Sequence, residues 1–240
     1  IPKPRGKVLG GSSSINGLVY IRGQREDYDR WRQLGNEGWS FDDVLPFFRK
    51  SEDQERGESE YHGTGGPLSV SDARTRHPLC DAFIESAVAC GFKRPDDFNG
   101  PQHEGFGYLQ LTSRKGMRAS TAVAFLRPAK NRENLSIVTN AHATRVLFDG
   151  RRATGVEYMR AGQTIVAEAR REVILSGGAI NSPQLLQLSG LGPAQHLRDI
   201  GVDVVADMPD VGGNLQDHFN IRLVYRCNQP ITLNDAVRHP

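Results

Sequence analysis

Residues 10–14, two glycines followed by three serines, form the stretch of this chain best suited to contact a ligand. Adjacent glycines let the backbone adopt positive φ angles and approach a bulky group closely. Serine hydroxyls and free backbone N–H groups suit a phosphate or a polar heterocycle. Taken alone, such a run is equally typical of a flexible linker. Because the apolar Val8 and Leu9 precede it and the apolar residues 18–21 follow it, the sequence favours an ordered binding loop.

A second glycine turn lies near residue 177, between two predicted regular elements. Residues 171–176 form a near-continuous apolar run that ends in small residues, which predicts a buried parallel strand. Residues 182–189 predict a helix, with Pro183 at its first position and Gly190 just past its end. A strand, a glycine turn and a helix in this order are typical of a nucleotide-binding crevice.

Two further groups of polar residues each admit a functional and a structural interpretation. Asp217 and His218 are adjacent, so the carboxylate could orient the imidazole for acid–base chemistry, but a surface turn explains the pair equally well. Arg118 and Ser120 could bind a phosphate or a carboxylate. A capped helix with a supporting arginine is the favoured interpretation of that second pair.

Together the two glycine-containing stretches resemble the paired signatures of the glucose–methanol–choline (GMC) flavoprotein oxidoreductases. The sequence GGSSSIN from Gly10 is similar to that family's GG-[ST]-[ST]-x-x-N element. The sequence GAINSPQLLQLSGLG from Gly178 is similar to its G-A-x-x-[ST]-P-x-L-L-x-x-S-G-[IL]-G element. The resemblance extends from Arg5 to about Arg226, and GKVLGGSSSING is nearest to the family's bacterial choline and alcohol dehydrogenases.

The resemblance implies that FAD is the cofactor and that parts of this chain line its site. Val8, residues 10–14 and residues 16–19 would line the flavin, the backbone at Ala143 would meet the adenine, and residues 177–179 would lie near the phosphates. Residues 217 and 218 would belong to a lid segment near the flavin. The cofactor-binding residues implied in this way are Val8, Gly10, Gly11, Ser12, Ser13, Asn16, Gly17, Leu18, Val19, Ala143, Gly177, Gly178, Ala179, Asp217 and His218.

Some members of the family attach the flavin covalently through a histidine one position before the asparagine. That position is Ile15 here, so the resemblance implies that FAD is bound without a covalent link.

Two parts that the family relies on do not occur in this sequence. There is no GxGxxG fingerprint, and no histidine falls in the context of the family's C-terminal catalytic base. The histidines outside that context are His62, His77, His103, His142, His196, His218 and His239. We therefore expect an internal fragment of a longer protein, with no catalytic residue of its own and no turnover in isolation.

For the parent protein, the resemblance implies oxidation of an alcohol to an aldehyde or ketone by hydride transfer to flavin N5. The electron acceptor would be a quinone-type carrier or oxygen. The alternatives are an FAD-containing hydroxynitrile lyase of the same family and an inactive fragment. A nicotinamide-dependent dehydrogenase is disfavoured, because both signatures belong to a flavoprotein family.

The expected fold class is α/β with an α+β part: a partial, doubly wound FAD-binding domain interleaved with part of a substrate-binding domain. Residues 1–60 and 141–219 are assigned to the first domain, and residues 61–140 and 220–240 to the second. Helices are predicted at 27–31, 39–50, 77–90 and 120–128, with a helix-like pattern at 234–240. Strands are predicted at 68–70, 108–112, 135–139, 143–148, 155–158 and 164–167.

Composition bounds the remaining possibilities. The 240 residues are 38% hydrophobic and 24% charged, as in an ordinary globular protein, and the net charge of +2 does not favour nucleic acid or an anionic membrane. Cys80, Cys90 and Cys227 have no metal-type spacing, so buried thiols in a reducing compartment are expected. No apolar run approaches the ~20 residues of a membrane span, which indicates a cytoplasmic protein or one associated peripherally with a membrane.

Overall fold

The computed structural model describes residues 3–232, which divide into two compact units. One unit contains the described residues up to Leu135 together with those from Arg226 onward, and the other runs from Ser136 to Tyr225. The helix-like pattern at residues 234–240 lies outside the described residues. The predicted domains are defined by what they bind, whereas these two units are defined by their internal contacts. The predicted division into cofactor and substrate domains therefore stays a prediction.

The first unit begins with the glycine–serine loop, whose residues Gly11–Ser14 form a short 3₁₀ turn. Strand β1 (Val19–Tyr20) follows, then helix α1 (Arg25–Gln33) and helix α2 (Phe41–Ser51). Helix α2 begins at a capping box, in which Ser40 and Asp43 each bind the other's backbone N–H. The predicted helices over these residues are therefore confirmed.

Aromatic side chains join α1 to α2. Tyr28 is buried, and its ring lies 5.4 Å from that of Trp31, 6.1 Å from Phe41 and 5.8 Å from Phe48 between ring centroids. Edge-to-face and tilted contacts of this kind add to the free energy gained from burying the rings. The cluster fixes the two helices against each other directly after the loop and β1.

The rest of the first unit consists of short elements. Strands β2 (Glu52–Gln54) and β3 (Leu68–Val70) pair in parallel, and α3 (Pro78–Ala89) follows. Strand β4 (Gln110–Leu111) pairs with β1, while β5 (Ser113–Arg114) and β6 (Met117–Arg118) form a hairpin. A π-helical turn, Ala122–Leu126, leads into the short α4 (Arg127–Ala129). The predicted strand at 68–70 and helix at 77–90 are confirmed, whereas the predicted strand at 108–112 shrinks to β4.

A buried network of polar side chains supports this unit. Arg22 Nη2 lies 2.7 Å from Glu52 Oε2, with side chains 2% and 0% exposed. His62 bridges two carboxylates, with Nδ1 2.9 Å from Glu52 Oε1 and Nε2 2.6 Å from Asp97 Oδ2. Gln54 Nε2 donates to Glu52 Oε1 at 3.1 Å. Every buried polar side-chain atom in the described residues has a partner, so the network is fully satisfied.

The second unit is organised around a three-stranded antiparallel sheet. Strands β7 (His142–Asp149), β8 (Arg152–Arg160) and β9 (Gln163–Glu168) pair in sequence order. Helix α5 (Gly178–Leu188) packs on β7 and leads to β10 (Leu191–Gly192), α6 (Ala194–Asp199) and β11 (Ala206–Asp207). Strands β10 and β11 pair in parallel. The three predicted strands between residues 143 and 167 are confirmed.

Several predicted features of the chain are wrong. Neither 135–139 nor 171–176 is a strand, because no strand among the described residues pairs with either segment, and Ile174 is 76% exposed. Helix α5 begins at Gly178, so Pro183 lies inside the helix rather than at its first position. The thiols of Cys80 and Cys90 are exposed rather than buried.

Candidate functional site

The glycine–serine loop has a backbone that only glycine tolerates easily. Gly10 and Gly11 adopt φ angles of 91° and 54°, and Gly11 N donates to Val8 O at 2.8 Å to close the turn. A Cβ built at Gly10 would lie 2.5 Å from Ser14 Oγ, whereas one built at Gly11 would meet no atom within 4 Å. The loop is therefore tightly packed on the Gly10 side and open at Gly11.

The serine hydroxyls hold the loop together. Ser12 Oγ accepts from Gly6 N at 3.3 Å, and Ser14 Oγ donates to Leu9 O at 2.9 Å. Ser13 Oγ donates to Gly10 O at 2.5 Å and also accepts from a neighbouring backbone N–H. The sequence suggested hydroxyls free for a phosphate, but these hydroxyls shape the backbone that a ligand would contact.

A second part of the chain, residues 112–121, binds the loop from outside. Thr121 N donates to Ser13 Oγ at 2.9 Å, and Thr121 Oγ1 donates to Gly10 O at 3.1 Å. Arg118 Nη1 donates to Ser13 O at 3.0 Å and to Asn16 Oδ1 at 2.7 Å. We call Thr112, Arg118 and Thr121 the loop clamp.

The turn that follows the loop is unusual at Leu18. This residue has a φ of 67°, which L-residues with bulky side chains rarely adopt. Its N–H donates to Asn16 Oδ1 at 3.1 Å, and its carbonyl accepts from Thr112 N at 2.8 Å and Thr112 Oγ1 at 3.1 Å. Strained backbone of this kind persists where surrounding bonds enforce it, and it is concentrated at binding sites.

In the second unit, Ala143 and Gly177 line one cavity of about 460 Å³. The cavity lies between the start of β7, residues 173–177 and the first turns of α5, and none of its lining residues is acidic, lysine or arginine. Gly177 N donates to Ser182 Oγ at 2.9 Å, and Gly178 adopts a φ of 87°. A largely apolar cavity without carboxylate, lysine or arginine side chains suits a neutral heterocycle such as adenine.

The remaining predicted residues of the second unit lie elsewhere. Ala179 lines a groove of about 500 Å³ with residues 210–213 and Leu215. Asp217 and His218 are exposed, in a stretch without regular secondary structure, and Asp217 Oδ1 accepts from His218 N at 3.0 Å. Neither of them lines that groove.

The structure thus collects the implied residues into two groups, one in each unit. Those from Val8 to Val19 form one continuous loop and turn, in which Val8, Ile15 and Val19 are 56%, 52% and 46% exposed. Ala143 and Gly177 line the cavity, Gly178 follows at the start of α5, and their roles stay predictions. Sequence reasoning found Arg118 but favoured a supporting role in a helix, and it missed the contacts of Thr112 and Thr121 with the loop.

The two groups fit parts of FAD in chemical character. The open, glycine-based surface at Gly11 is matched at Gly17, where a Cβ would also meet no atom within 4 Å, so a flat ring system could approach both. The largely apolar cavity at Ala143 suits the adenine. Within the described part of the chain, no group of three or more acidic, histidine or cysteine side chains could hold a metal ion.

None of the described helices is both long enough and apolar enough to cross a membrane.

The profile of the GMC oxidoreductase family matches residues 2–220, and the chain belongs to that family. Membership implies FAD as the cofactor and an α/β flavoenzyme fold. The predicted family and fold class are confirmed.

Among curated proteins, the chain is similar to choline dehydrogenases. It is 51% identical over 233 residues to the mitochondrial choline dehydrogenase of Homo sapiens, covering 97% of this chain and 39% of that protein. It is 48% identical over 233 residues to the oxygen-dependent choline dehydrogenase of Sinorhizobium fredii, covering 97% and 42%. The chain therefore spans about two fifths of the length of these relatives.

Solved structures show the same likeness. Pyridoxine 4-oxidase from Mesorbium loti superposes with a TM-score of 0.80 at 34% identity, covering 86% of this chain and 41% of that one. An FAD-dependent oxidoreductase from Chaetomium thermophilum has a TM-score of 0.80 at 29% identity, covering 85% and 38%.

Proposed function

We propose that the complete protein carrying this chain oxidises choline, or a closely related amino alcohol, to the aldehyde with FAD as the oxidant. The observation that carries the proposal is the identity of about half of all residues to choline dehydrogenases over 97% of the chain. Within that similarity lies the loop of residues 8–19, whose strained, glycine-based backbone is supported by the loop clamp.

The chain's own residues would bind and orient the cofactor. FAD, when bound, supplies the acceptor for the hydride that leaves the alcohol carbon. We assign residues 8–19 to the flavin ring, Ala143 to the adenine and Gly177 to Ala179 to the phosphates, with Asp217 and His218 in a lid segment. Residues 1–60 and 141–219 then contribute to the FAD-binding domain, and 61–140 and 220–240 to the substrate-binding domain.

The proton of the alcohol needs a base, and we assign that role to none of the described histidines. His62 is held in ion pairs with Glu52 and Asp97, so both of its ring nitrogens are already engaged. A base must reach the hydroxyl proton within hydrogen-bonding distance. The base is therefore expected in a part of the complete protein other than this chain.

We further propose that the cofactor is held without a covalent bond. Ile15 occupies the position at which some relatives carry a flavin-linked histidine, and an aliphatic side chain offers no nucleophile. Denaturing the purified protein with acid and removing the precipitate should leave all yellow colour in the supernatant. Flavin that stays with the precipitated polypeptide would contradict the proposal.

The electron acceptor is proposed to be a quinone-type carrier, with oxygen as the alternative. A quinone carrier would be consistent with a peripheral association with a membrane, and oxygen with a cytoplasmic enzyme. Two assays separate the acceptors. One measures turnover with a soluble quinone when oxygen is removed, and the other measures oxygen consumption when no quinone is added.

Anaerobic flavin reduction tests the main proposal directly. Adding choline to the purified complete protein without oxygen should bleach the yellow absorbance of the flavin. An analogue in which hydrogen replaces the hydroxyl should bind without bleaching, because its carbon has no oxygen that can form the C=O bond as hydride leaves. A flavin that choline and simple alcohols leave oxidised, while the protein cleaves a hydroxynitrile, would replace the proposal with a lyase.

A further inference from the structure

We propose that Arg118 is a positioning residue that fixes the side-chain amide of Asn16, so that the two N–H donors of this amide are presented to the flavin. The inference rests on the proposed flavin site. It adds to that site a residue about a hundred positions away in sequence, and a specific hydrogen-bonding role for Asn16.

The orientation of the Asn16 amide follows from its neighbours. Arg118 Nη1 lies 2.7 Å and Leu18 N 3.1 Å from Asn16 Oδ1, and both neighbours have only hydrogens to offer. The amide must therefore turn its acceptor oxygen toward them, since its NH₂ group would oppose two donors. The bond from the guanidinium is charge-assisted, which makes it the stronger of the two.

Fixing the oxygen also fixes the nitrogen, because the amide is planar. Asn16 is exposed, and its Nδ2 makes no hydrogen bond to any other residue that the structure describes. Two donors on the surface of the loop are thus left without a partner among the described residues. Ser13 and Ser14 donate their hydroxyl protons within the loop, whereas Asn16 keeps both amide N–H groups, and exposed Ser12 its O–H, for a ligand.

Arg118 is itself well placed to hold this orientation. It ends β6, and the next residue, Ala119, donates its N–H to Thr112 O at 3.0 Å. The same guanidinium nitrogen also donates to Ser13 O, so Arg118 ties two points of the loop together. Its neighbour in the clamp, Thr121, binds the loop at Gly10 and Ser13.

An N–H group that donates to an acceptor of the flavin ring has a defined energetic effect. It favours the reduced ring over the oxidised ring, because reduction adds negative charge to the ring acceptors. Removing the donor, or letting it rotate, should therefore weaken FAD binding and lower the flavin's midpoint potential.

The test compares Arg118→Gln with Arg114→Gln in the complete protein. Apoprotein of each variant is titrated with FAD, and the midpoint potential of the loaded protein is measured. We expect about 10- to 100-fold weaker FAD binding for Arg118→Gln, the loss of one charge-assisted bond. A tenfold loss of preference for the reduced flavin lowers the potential by about 30 mV.

Arg114→Gln is the matched control. Arg114 lies on the same hairpin, is exposed, and makes no side-chain hydrogen bond or ion pair with any described residue. Arg114→Gln removes the same charge at a similar place in the chain. It should leave the FAD affinity and the midpoint potential unchanged. If both variants lost FAD affinity and midpoint potential equally, the change in net charge alone would explain the effect, and the proposal would be overturned.

Variants of Asn16 separate positioning from general support. Asn16→Asp keeps the acceptor for Arg118 and Leu18 but removes both N–H donors, so it should bind FAD as weakly as Arg118→Gln. In an Asn16→Ala background, adding Arg118→Gln should change FAD affinity by less than about threefold, because the two residues act as a unit. Fully additive losses, or an Asn16→Asp protein with wild-type affinity and potential, would refute the proposal.

Folding and function are controlled separately. If Arg118→Gln is insoluble, Arg118→Lys keeps the charge with one donor group and should show an intermediate affinity; wild-type affinity and potential in that variant would contradict the proposal. Neither readout requires an alcohol. A protein that binds FAD in an Asn16-dependent way but oxidises no alcohol would therefore refute the proposed function and leave this inference standing.

Discussion

At the scale of single residues, the most unusual group is His62, which lies between two carboxylates in a largely buried position. Burial lowers the pKa of the imidazole, but the hydrogen bonds to Asp97 and Glu52 outweigh it and raise the pKa to about 9. Conversely, burial raises the pKa of Asp97, and the bond to His62 holds it below its usual value. The structure therefore contains a charged imidazole at neutral pH, close to the Arg22–Glu52 pair.

This imidazolium makes the stability of the protein pH-dependent. The pKa of His62 is higher in the folded state, so its contribution is fully present below pH 6.5 and is lost as the pH rises through about 9. Within that window the free energy of unfolding should fall by up to about 1.4 kcal/mol for each pH unit. Urea unfolding of the protein at pH 6 and pH 9 measures this difference in the free energy of unfolding. His62→Gln should remove this slope, and the exposed His196→Gln should keep it; a slope unchanged in His62→Gln would contradict the assignment.

The Arg22–Glu52 pair yields a second prediction at this scale. Arg22→Met removes the guanidinium from Glu52, whose side chain is 0% exposed. The carboxylate then keeps only the side chains of His62 and Gln54 and the backbone N–H of Gly63 as partners, so we expect a loss of about 3–5 kcal/mol in the free energy of unfolding. The control is Arg25→Met, which breaks an ion pair with Asp42 whose side chains are 46% and 74% exposed. Chemical denaturation should show a large midpoint shift for the first variant and little for the second.

The residue-scale network could not be read from the sequence. Arg22 and Glu52 are 30 positions apart, and His62 and Asp97 are 35 apart, so no local spacing indicates that they meet. The glycine–serine loop was found because its unusual composition is local and its resemblance to a family signature is long. The clamp was missed because its residues are ordinary in type and act through distant contacts.

At the scale of elements, local sequence patterns predicted several helices and strands correctly, but they did not predict which segments pair as strands. The predicted helix at 39–50 matches α2, and the predicted strands at 143–148 and 155–158 match β7 and β8. The apolar run at 171–176 reads as a strand, but a strand needs a neighbour to hydrogen-bond with, which sequence periodicity does not supply. The start of α5 was missed because Pro183 suggested a first-turn position, although the helix begins five residues earlier.

One hydroxyl joins the end of α5 to the sheet by hydrogen bonds. Ser189 Oγ accepts from Val146 N at 2.8 Å and donates to Leu185 O at 2.5 Å, and Val146 is buried. Ser189→Ala leaves the buried N–H of Val146 without this hydrogen-bond partner. The free energy of unfolding should therefore fall by about 1–3 kcal/mol. Ser136→Ala, at an exposed serine of the same unit, should have no such effect. Equal thermal midpoints for the two variants would show that the N–H finds another partner.

At the scale of the whole molecule, each unit has a small core and many large apolar side chains outside it. In the stretch from 215 to 225 of the second unit, Phe219 is 91% exposed and Val224 92% exposed. Contiguous exposed apolar surface marks places where proteins contact other parts of themselves or other molecules. A chain with such a surface should behave differently in isolation and within the complete protein.

The isolated 240-residue polypeptide should therefore bind a hydrophobic dye such as ANS and oxidise no alcohol. It should hold FAD weakly or not at all, because its sequence contains no GxGxxG fingerprint and the proposed site spans only loops and one cavity. The complete protein should bind little dye and carry yellow flavin. Purification of the isolated chain with tightly bound flavin and measurable alcohol oxidation would overturn this prediction.

The aromatic cluster between α1 and α2 has a consequence for spectroscopy. The chain has two tryptophans, and Trp31 and Trp39 are in contact, with ring centroids 5.9 Å apart. Both tryptophans belong to the first unit, so indole emission from this chain reports on the surroundings of its two helices. Far-ultraviolet circular dichroism reports both units. An emission transition displaced from the dichroism transition during denaturation would show that the sheet of β7, β8 and β9 opens independently of the two helices.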